Sequence, residues 1–209
     1  MSTKDKILDA AELFFADKGF NGTSLREITS QAEVNLAAVN YHFGSKKELI
    51  KAVMSRYMNE LSPKLELSLI NLCSQDSDIS LEDVFFAFVD PLLSLNEFKE
   101  NGTSTFLQLL GRGYTDSQGF LRWFLTTQYP NVFDNFTNAV KKAYPELSAE
   151  EMFWRLHFTM GTIVFTMSSS DALIDIAASD FNRDIDISGV IKQVIPYVAA
   201  GVGAPIIKS

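Results

Sequence analysis

The sequence has few of the residues that cross-link small proteins or hold metals in them. It contains one cysteine, Cys73, and two histidines among 209 residues. A lone cysteine excludes a disulfide within the chain and favours a reducing compartment. Because the cysteine and histidines are few and far apart in the sequence, we expect no metal site and no cofactor.

The sequence also shows no long apolar run and no segment typical of a secretory signal. The closest candidate for a membrane span, Val194–Ile207, is short and contains Pro196, Gly201 and Gly203. A membrane helix needs about 20 apolar residues. The first residues run directly into an amphipathic helix rather than into an apolar signal segment. We therefore expect a cytoplasmic protein with no membrane partner.

The chain lacks the net positive charge that is usual for nucleic-acid-binding proteins, since its formal net charge is -8. The charge is unevenly spread, however. Residues 36–56 hold one acid, Glu48, and four basic residues, Lys46, Lys47, Lys51 and Arg56. A locally positive surface on an acidic protein is compatible with a DNA reader that has a separate domain for another task.

Apolar residues recur at helical spacing, and no segment shows the sustained alternation that is typical of strands. The sequence predicts an all-α fold. A three-helix helix-turn-helix domain is expected over residues 1–48, and a helical bundle for ligand binding and dimerisation over residues 49–209. Pro63 should kink or break the fourth helix. Helix caps are expected at four polar residues: Ser2, Ser24, Asn35 and Ser45. Later helices are expected over residues 80–95, 103–113, 118–143, 148–171 and 187–202.

The stretch Ser24–Lys47 predicts two short helices, a tight turn and the start of a further helix. Such an arrangement can place a few side chains in the major groove of DNA. Small residues let a helix approach base edges, asparagine can bond a base or a phosphate, and hydroxyl, imidazole and ammonium groups can donate to phosphates. The predicted DNA-binding residues are Thr23, Ser24, Arg26, Ala37, Asn40, Tyr41, His42 and Lys46. The alternative is an ordinary three-helix bundle whose polar residues only cap helices.

Four motifs in the first fifty residues carry a family resemblance: Ile7–Phe14, Lys18–Phe20, Thr23–Ile28 and above all Asn40–Leu49. Together they resemble the DNA-binding domain of the TetR family of bacterial transcriptional regulators. The resemblance implies a homodimer that binds a palindromic operator in double-stranded DNA and usually represses transcription until a small molecule binds. Glu33 stands where the family usually has glycine. A left-handed backbone there would strain Glu33 by about 1 kcal/mol.

The part of the chain after residue 80 holds most of the 17 phenylalanines. Its motifs Leu109–Gly111 and Phe153–Phe158 are similar to those of PsrA-type regulators, a branch of the same family. That resemblance implies an apolar effector, a long-chain fatty acid or acyl-CoA, and control of fatty-acid metabolism genes. The predicted effector-binding residues are Phe106, Leu110, Arg122, Trp123, Arg155, Phe158 and Phe165. Core packing is the alternative for the aromatic residues, and pairing with an acid such as Glu151 is the alternative for the arginines.

Apolar positions at helical spacing predict a dimer interface on the last two long helices, at Met160, Val164, Val190, Val194 and Tyr197. Two-fold symmetry would let two recognition helices read half-sites about 34–36 Å apart. No nucleophile–base motif, phosphate loop or paired-carboxylate pattern is visible, so we expect no enzyme and no catalytic residue. The leading hypothesis is a repressor. The alternatives are an activator or dual regulator with an unrelated apolar effector and, remotely, a helical lipid-binding carrier or enzyme.

Overall fold

The structure is a computed structural model that describes residues 2–205, apart from the side chains of residues 117, 118 and 168. Over this range it contains helices and no strand, which confirms the all-α prediction. The helices are α1 (Thr3–Gly22), α2 (Leu25–Gln31), α3 (Leu36–Phe43), α4 (Lys46–Cys73), α5 (Leu81–Phe86), α6 (Val89–Leu93), α7 (Leu95–Phe98), α8 (Gly102–Gln128), α9 (Pro130–Ala143), α10 (Ala149–Ser168), α11 (Ser170–Phe181) and α12 (Ile187–Val202).

The predicted caps at the start of the first four helices are confirmed. Ser2 and Ser24 each form a complete capping box, with Asp5 and Glu27 respectively. At the start of α3, the Asn35 side chain accepts the Ala38 N–H at 2.9 Å. The Ser45 hydroxyl accepts the Glu48 N–H at 3.2 Å at the start of α4. These bonds satisfy backbone donors that have no partner within the helix.

We call residues 2–48 the head and residues 49–205 the body, following the predicted boundary. Helices α1, α2 and α3 of the head enclose a core in which Ile7, Phe15, Ile28 and Val39 are fully buried. The boundary itself lies in the first turn of α4, so one helix belongs to both parts. One continuous helix, α4, therefore connects the head to the body.

Of the kink or break expected at Pro63, the break is wrong, because α4 continues through the proline to Cys73. A proline inside a helix costs about 3 kcal/mol, since one backbone bond is lost and the ring meets the preceding turn. Leu61 and Leu65, on either side of it, are buried against neighbouring helices. Burial of these side chains offsets the local cost of the proline.

Helix α8 lies at the centre of the molecule and packs on both α1 of the head and α10 of the body. It runs unbroken over Gly102–Gln128, so the predicted gap between residues 113 and 118 is wrong. The chain instead interrupts its helix at Tyr129, and Pro130 opens α9. Proline fits the first helical position, where its missing N–H has no partner to lose. The predicted helix over residues 148–171 is divided at Ser169 into α10 and α11.

Candidate nucleic-acid interface

Helix α3 presents its outer side to solvent because its inner side is held in the head. Val39 and Phe43 are buried among the residues of α1, α2 and α4. On the opposite side Ala37 and Asn40 are exposed, and Tyr41 is 86% exposed. An exposed tyrosine beside small and amide side chains fits contact with a surface outside the molecule. We call Leu36, Ala37, Asn40 and Tyr41 the α3 face.

His42 follows the α3 face and is also exposed. Its ring meets the Tyr41 ring edge to face, with centroids 5.1 Å apart. Arg26 is exposed on α2, the helix that precedes the turn into α3. The structure thus leaves the Arg26, Asn40, Tyr41 and His42 side chains accessible for the DNA contacts predicted for them.

Two hydroxyls predicted to reach DNA are already engaged inside the head. The Thr23 side chain is buried and donates to the carbonyl oxygens of Phe14 at 3.0 Å and Gly19 at 2.8 Å. Its assignment as a phosphate donor is corrected, because a buried hydroxyl with two protein acceptors is not available to DNA. The Ser24 hydroxyl donates to the Glu27 carboxylate at 2.8 Å and accepts that residue's N–H.

The Glu27 carboxylate fixes the start of α2. A hydrogen bond from the Lys18 ammonium, at 2.8 Å, and bonds from Ser24 lower the pKa of Glu27 to about 2. The carboxylate is therefore ionised at neutral pH. A negative charge in the first turn also suits the helix dipole.

Lysines gather at the start of α4, beside the end of α3. Lys46 donates to the Thr23 carbonyl oxygen and so ties α4 to the beginning of α2. Lys47 is exposed, and the N-terminus of a helix favours an anion such as phosphate. Lys51 pairs with Glu48 at 2.8 Å. Of the two lysines at the start of α4, Lys47 is more accessible than Lys46.

The turn between α2 and α3 contains the strained residue that the sequence predicted. Glu33 has φ 54°, in the left-handed region that most residues other than glycine and asparagine avoid. The expectation is confirmed, and it has a measurable consequence. Glu33 lies at the edge of the groove between α1 and α8, together with Gln31 and Ala32.

Replacing Glu33 by Gly should stabilise the protein by about 1 kcal/mol, because glycine adopts this backbone without steric cost. Urea unfolding followed by circular dichroism measures the change. Asn182 has φ 50° and provides a matched control. Its replacement by Gly should give a smaller gain, since asparagine tolerates the left-handed region better than glutamate. Equal gains at the two positions would contradict the strain assigned to Glu33.

The aromatic residues predicted to line an effector tunnel do not share one cavity. Phe106 is buried and stacks on Tyr57, with centroids 5.7 Å apart, as core packing requires. Leu110 is half-buried beside it in α8. Trp123, Phe158 and Phe165 have more than half of their surface exposed. The prediction that these residues enclose an acyl chain is therefore not met by this arrangement of helices.

The two arginines assigned to the effector have other partners. Arg155 is buried, and its guanidinium pairs with Glu151 at 2.9 Å. It also donates to three carbonyl oxygens at the end of α12 and just after it, those of Val202, Ala204 and Pro205. The assignment of Arg155 to a ligand carboxylate is corrected, since protein oxygens already occupy its donors. Arg122 is exposed and lies 5.8 Å from the Phe153 ring centroid.

The predicted dimer residues are divided between the core and the surface. Val190 is buried, Met160, Val164 and Val194 are half-buried, and Tyr197 is exposed. Val190 thus faces its own body, which corrects its assignment to an interface. A different apolar stripe faces outward on α10, at residues spaced by four, three and four positions. We call Trp154, Phe158, Gly161 and Phe165 the α10 face.

Among the grooves that the described residues form, two are considered as ligand sites. One, of about 750 Å³, lies between α1 and the first half of α8 and is lined by charged residues that include Asp9, Glu12, Lys99 and Arg112. The other, of about 580 Å³, lies between the end of α4 and α5. None of the predicted effector residues lines either groove. Within residues 2–205, no three histidine, cysteine or acidic side chains cluster as metal ligands would, and no helix has the length and apolarity to cross a bilayer.

Both the N-terminal and the C-terminal part of the chain match models of known protein families. Residues 7–53 match the family model "Bacterial regulatory proteins, tetR family", and residues 86–201 match "Tetracyclin repressor-like, C-terminal domain". A Bacillus subtilis protein named "Probable HTH-type transcriptional regulator YttP" is 38% identical over 86 residues, which are 41% of this chain and 42% of that protein. The Staphylococcus aureus (strain Newman) negative regulator of the biofilm operon icaADBC, IcaR, is 44% identical over 46 residues, 22% of this chain and 25% of that protein. The matched region thus spans less than half the length of these curated relatives.

Solved structures share the fold over nearly the whole chain. A TetR-like transcriptional regulator from Rhodococcus sp. RHA1 has a TM-score of 0.59 at 16% identity and covers 97% of each chain. A Clostridium perfringens protein whose name describes a fatty acid metabolism regulator has a TM-score of 0.51 at 18% identity, over 97% of this chain and 100% of that one. Such low identity establishes the architecture alone. TetR family regulators are transcription factors rather than enzymes. The C-terminal match spans more than half of the chain, so this chain belongs to the TetR family of bacterial regulatory proteins.

Proposed function

We propose that this chain is a transcriptional regulator that binds operator DNA through the α3 face. The observation that carries the proposal is the exposure of Asn40 and Tyr41 on a helix whose opposite side is buried. Lys47, at the start of α4, can then bind the phosphates beside the groove that α3 enters. Because the target is DNA, we place the protein in the cytoplasm.

Replacing Tyr41 by Ala should weaken DNA binding without unfolding the head, because the Tyr41 side chain makes little contact with the core. A lost contact worth about 1 kcal/mol in each of two subunits sums to about 2 kcal/mol, or about thirtyfold in affinity. Fluorescence anisotropy on a duplex enriched from a random-sequence library measures the loss. Tyr41→Phe keeps the ring and should lose less. Wild-type affinity in Tyr41→Ala would refute the assigned face.

We infer that two copies assemble through the α10 face. Trp154 and Phe158 stack with centroids 6.1 Å apart on the surface of α10. A side chain built on Gly161 would meet nothing within 4 Å, so the middle of the face is open to a second helix. Monomeric proteins seldom expose an apolar stripe of this kind. A second copy supplies an identical stripe, and a two-fold axis brings like surfaces together.

Repression is the sign of regulation that we propose. IcaR is a negative transcriptional regulator by name, and its similarity lies in the DNA-binding part. A dimer on an operator that overlaps a promoter blocks access to it, whereas the same dimer upstream can activate. A reporter gene behind the enriched duplex decides the sign: repression predicts higher expression when the regulator gene is deleted. Lower expression on deletion would favour the activator alternative.

We also propose a hydrophobic effector, with long-chain fatty acids and acyl-CoA as the class to test first. The phenylalanine-rich body and the name of the Clostridium perfringens structure support this choice. Because the predicted residues do not surround one cavity, an acyl chain would have to separate helices of the body. A ligand that binds only the opened state shifts the population towards it.

Mass spectrometry of molecules that copurify with the protein tests the effector class. The proposal predicts acyl chains in the extract and loss of duplex binding when oleate or oleoyl-CoA is added. Octanoate is a control with the same head group as oleate and less apolar surface. Retention of the full complex at saturating oleate and oleoyl-CoA would contradict the proposal.

A further inference from the structure

Helix α1 does not end smoothly but breaks at Gly19, which has φ 78° and ψ 173°. The break leaves carbonyl oxygens without helical partners on its first side and an N–H without one on its second side. Both sides of this break contact α8 of the body. The end of α1 is therefore a place where the head touches the body away from the shared helix α4, in addition to the ion pairs that Lys99 of the body forms with Asp9 and Glu12.

On the first side of the break, Arg112 of α8 acts as a C-terminal cap. Its Nη2 donates to the carbonyl oxygen of Asp17 at 2.8 Å, and its Nε donates to that of Ala16 at 3.4 Å. A cation at the C-terminal end of a helix is favoured by the helix dipole. The arginine thus meets the negative end of the helix.

On the second side, Asp116 lies one turn further along α8. Its Oδ2 accepts the Asn21 backbone N–H at 3.0 Å, and its carbonyl oxygen accepts the Asn21 side-chain amide at 3.1 Å. An ideal Cβ on Gly19 would lie 2.5 Å from the Asp116 Oδ2 atom. Glycine at this position therefore gives the carboxylate room to reach the backbone of the head.

The segment held in this way is the joint from which the DNA-binding helices begin. Phe20 is buried edge to face against Phe15, with centroids 5.2 Å apart. Thr23 then bonds back to Phe14 and Gly19, and α2 starts two residues later. A displacement of the joint must carry α2, and with it α3, because these contacts leave no flexible linker between them.

Helix α8 also lies against the start of α4, where the head meets the body. The Lys51 ammonium lies 5.4 Å from the Trp123 ring centroid, and the Lys47 ammonium lies 5.8 Å from that of Phe120. Both lysines belong to the start of α4, next to the α3 face. The same helix therefore contacts the head at the end of α1 and at the start of α4.

We propose that Arg112 and Asp116 are positioning residues for DNA recognition, which set the orientation of α2 and α3 by holding both sides of the break at Gly19. The inference rests on the proposed DNA-binding function. It assigns the coupling between body and head to the contacts of α8 with the end of α1, in addition to the continuous helix α4. A shift of α8 moves Arg112 and Asp116. These two residues move the end of α1, and α1 moves the α3 face.

The test compares full-length Asp116→Ala with Asp116→Asn, whose side-chain oxygen can still accept the Asn21 N–H. Affinity for the enriched duplex should fall about tenfold in Asp116→Ala and stay within about threefold of wild type in Asp116→Asn. Hydrogen exchange read by mass spectrometry should quicken in residues 19–43 of Asp116→Ala and stay unchanged in α9 and α12. A purely structural role would instead quicken exchange throughout the chain.

Wild-type affinity in Asp116→Ala, or an equal loss in Asp116→Asn, would overturn the proposal. Should Asp116→Ala fail to fold, Arg112→Met is tested instead. It removes the hydrogen bonds to Ala16 and Asp17, and the same losses of affinity and exchange protection are expected. If the wild-type protein enriches no duplex, the proposed function fails. The positioning role is then decided by exchange alone: faster exchange confined to the head supports it, and unchanged exchange refutes it.

Discussion

Replacing Phe158 by Glu should convert the protein into a monomer and reduce operator binding at least about a hundredfold, since linking two half-site contacts raises affinity by about 10² to 10⁴. Phe158 is 66% exposed in the single chain, so the substitution disturbs little of the chain's own core. At a two-fold interface the new carboxylates of both copies would be buried near each other. Desolvating each would cost several kcal/mol.

Analytical ultracentrifugation gives the subunit number, and anisotropy on the enriched duplex gives the affinity. Leu67→Glu is the matched control, because Leu67 is 59% exposed on α4 and lies outside the α10 face. The control should remain dimeric and bind DNA as the wild type does. A Phe158→Glu protein that stays dimeric would show that the copies meet elsewhere.

Replacing Arg155 by Gln should lower the free energy of unfolding by about 3 kcal/mol, the lower end of what breaking a buried charge pair costs. The substitution leaves Glu151 without its cation and the carbonyl oxygens of Val202 and Ala204 without their donor. The lower end applies because a third of the Glu151 side chain reaches solvent. Helix α12 would also lose its main polar tie to α10.

Urea unfolding of Arg155→Gln and Arg122→Gln separates a structural arginine from a surface one. Arg122 is exposed and lies 5.8 Å from the Phe153 ring centroid, so its loss should cost less than about 1 kcal/mol. If Arg155 served an effector instead, its replacement would leave stability unchanged and abolish only the response to ligand. Equal stability of the two variants would therefore restore the assignment that the structure corrects.

Features that depend on neighbouring residues in the chain could be predicted from the sequence. The caps at Ser24 and Asn35 involve residues three positions apart, and the strain at Glu33 follows from one turn. The exposed side of α3 followed from the spacing of Val39 and Phe43, which fixes the buried side. The caps of the head and the buried side of α3 therefore follow from local pattern alone.

Features that depend on distant residues could not be predicted. Arg155 meets carbonyl oxygens that are 47 to 50 positions away, and no local pattern marks them. Phe158 and Phe165 occur at helical spacing, which describes a stripe but does not say whether the stripe faces the core or a second copy. No local pattern marks Asp116 either, because its partner Asn21 lies 95 positions away in the sequence.

The central claim is that two α3 faces read neighbouring turns of one duplex, and tethered DNA cleavage tests it most directly. A Cys73→Ser background removes the native thiol, and Ser30→Cys attaches an iron chelate to the exposed side of α2, one turn after Arg26. The account predicts two clusters of cuts separated by about one helical turn, 10 to 10.5 base pairs. A single cluster, or cuts scattered without relation to the enriched sequence, would contradict it.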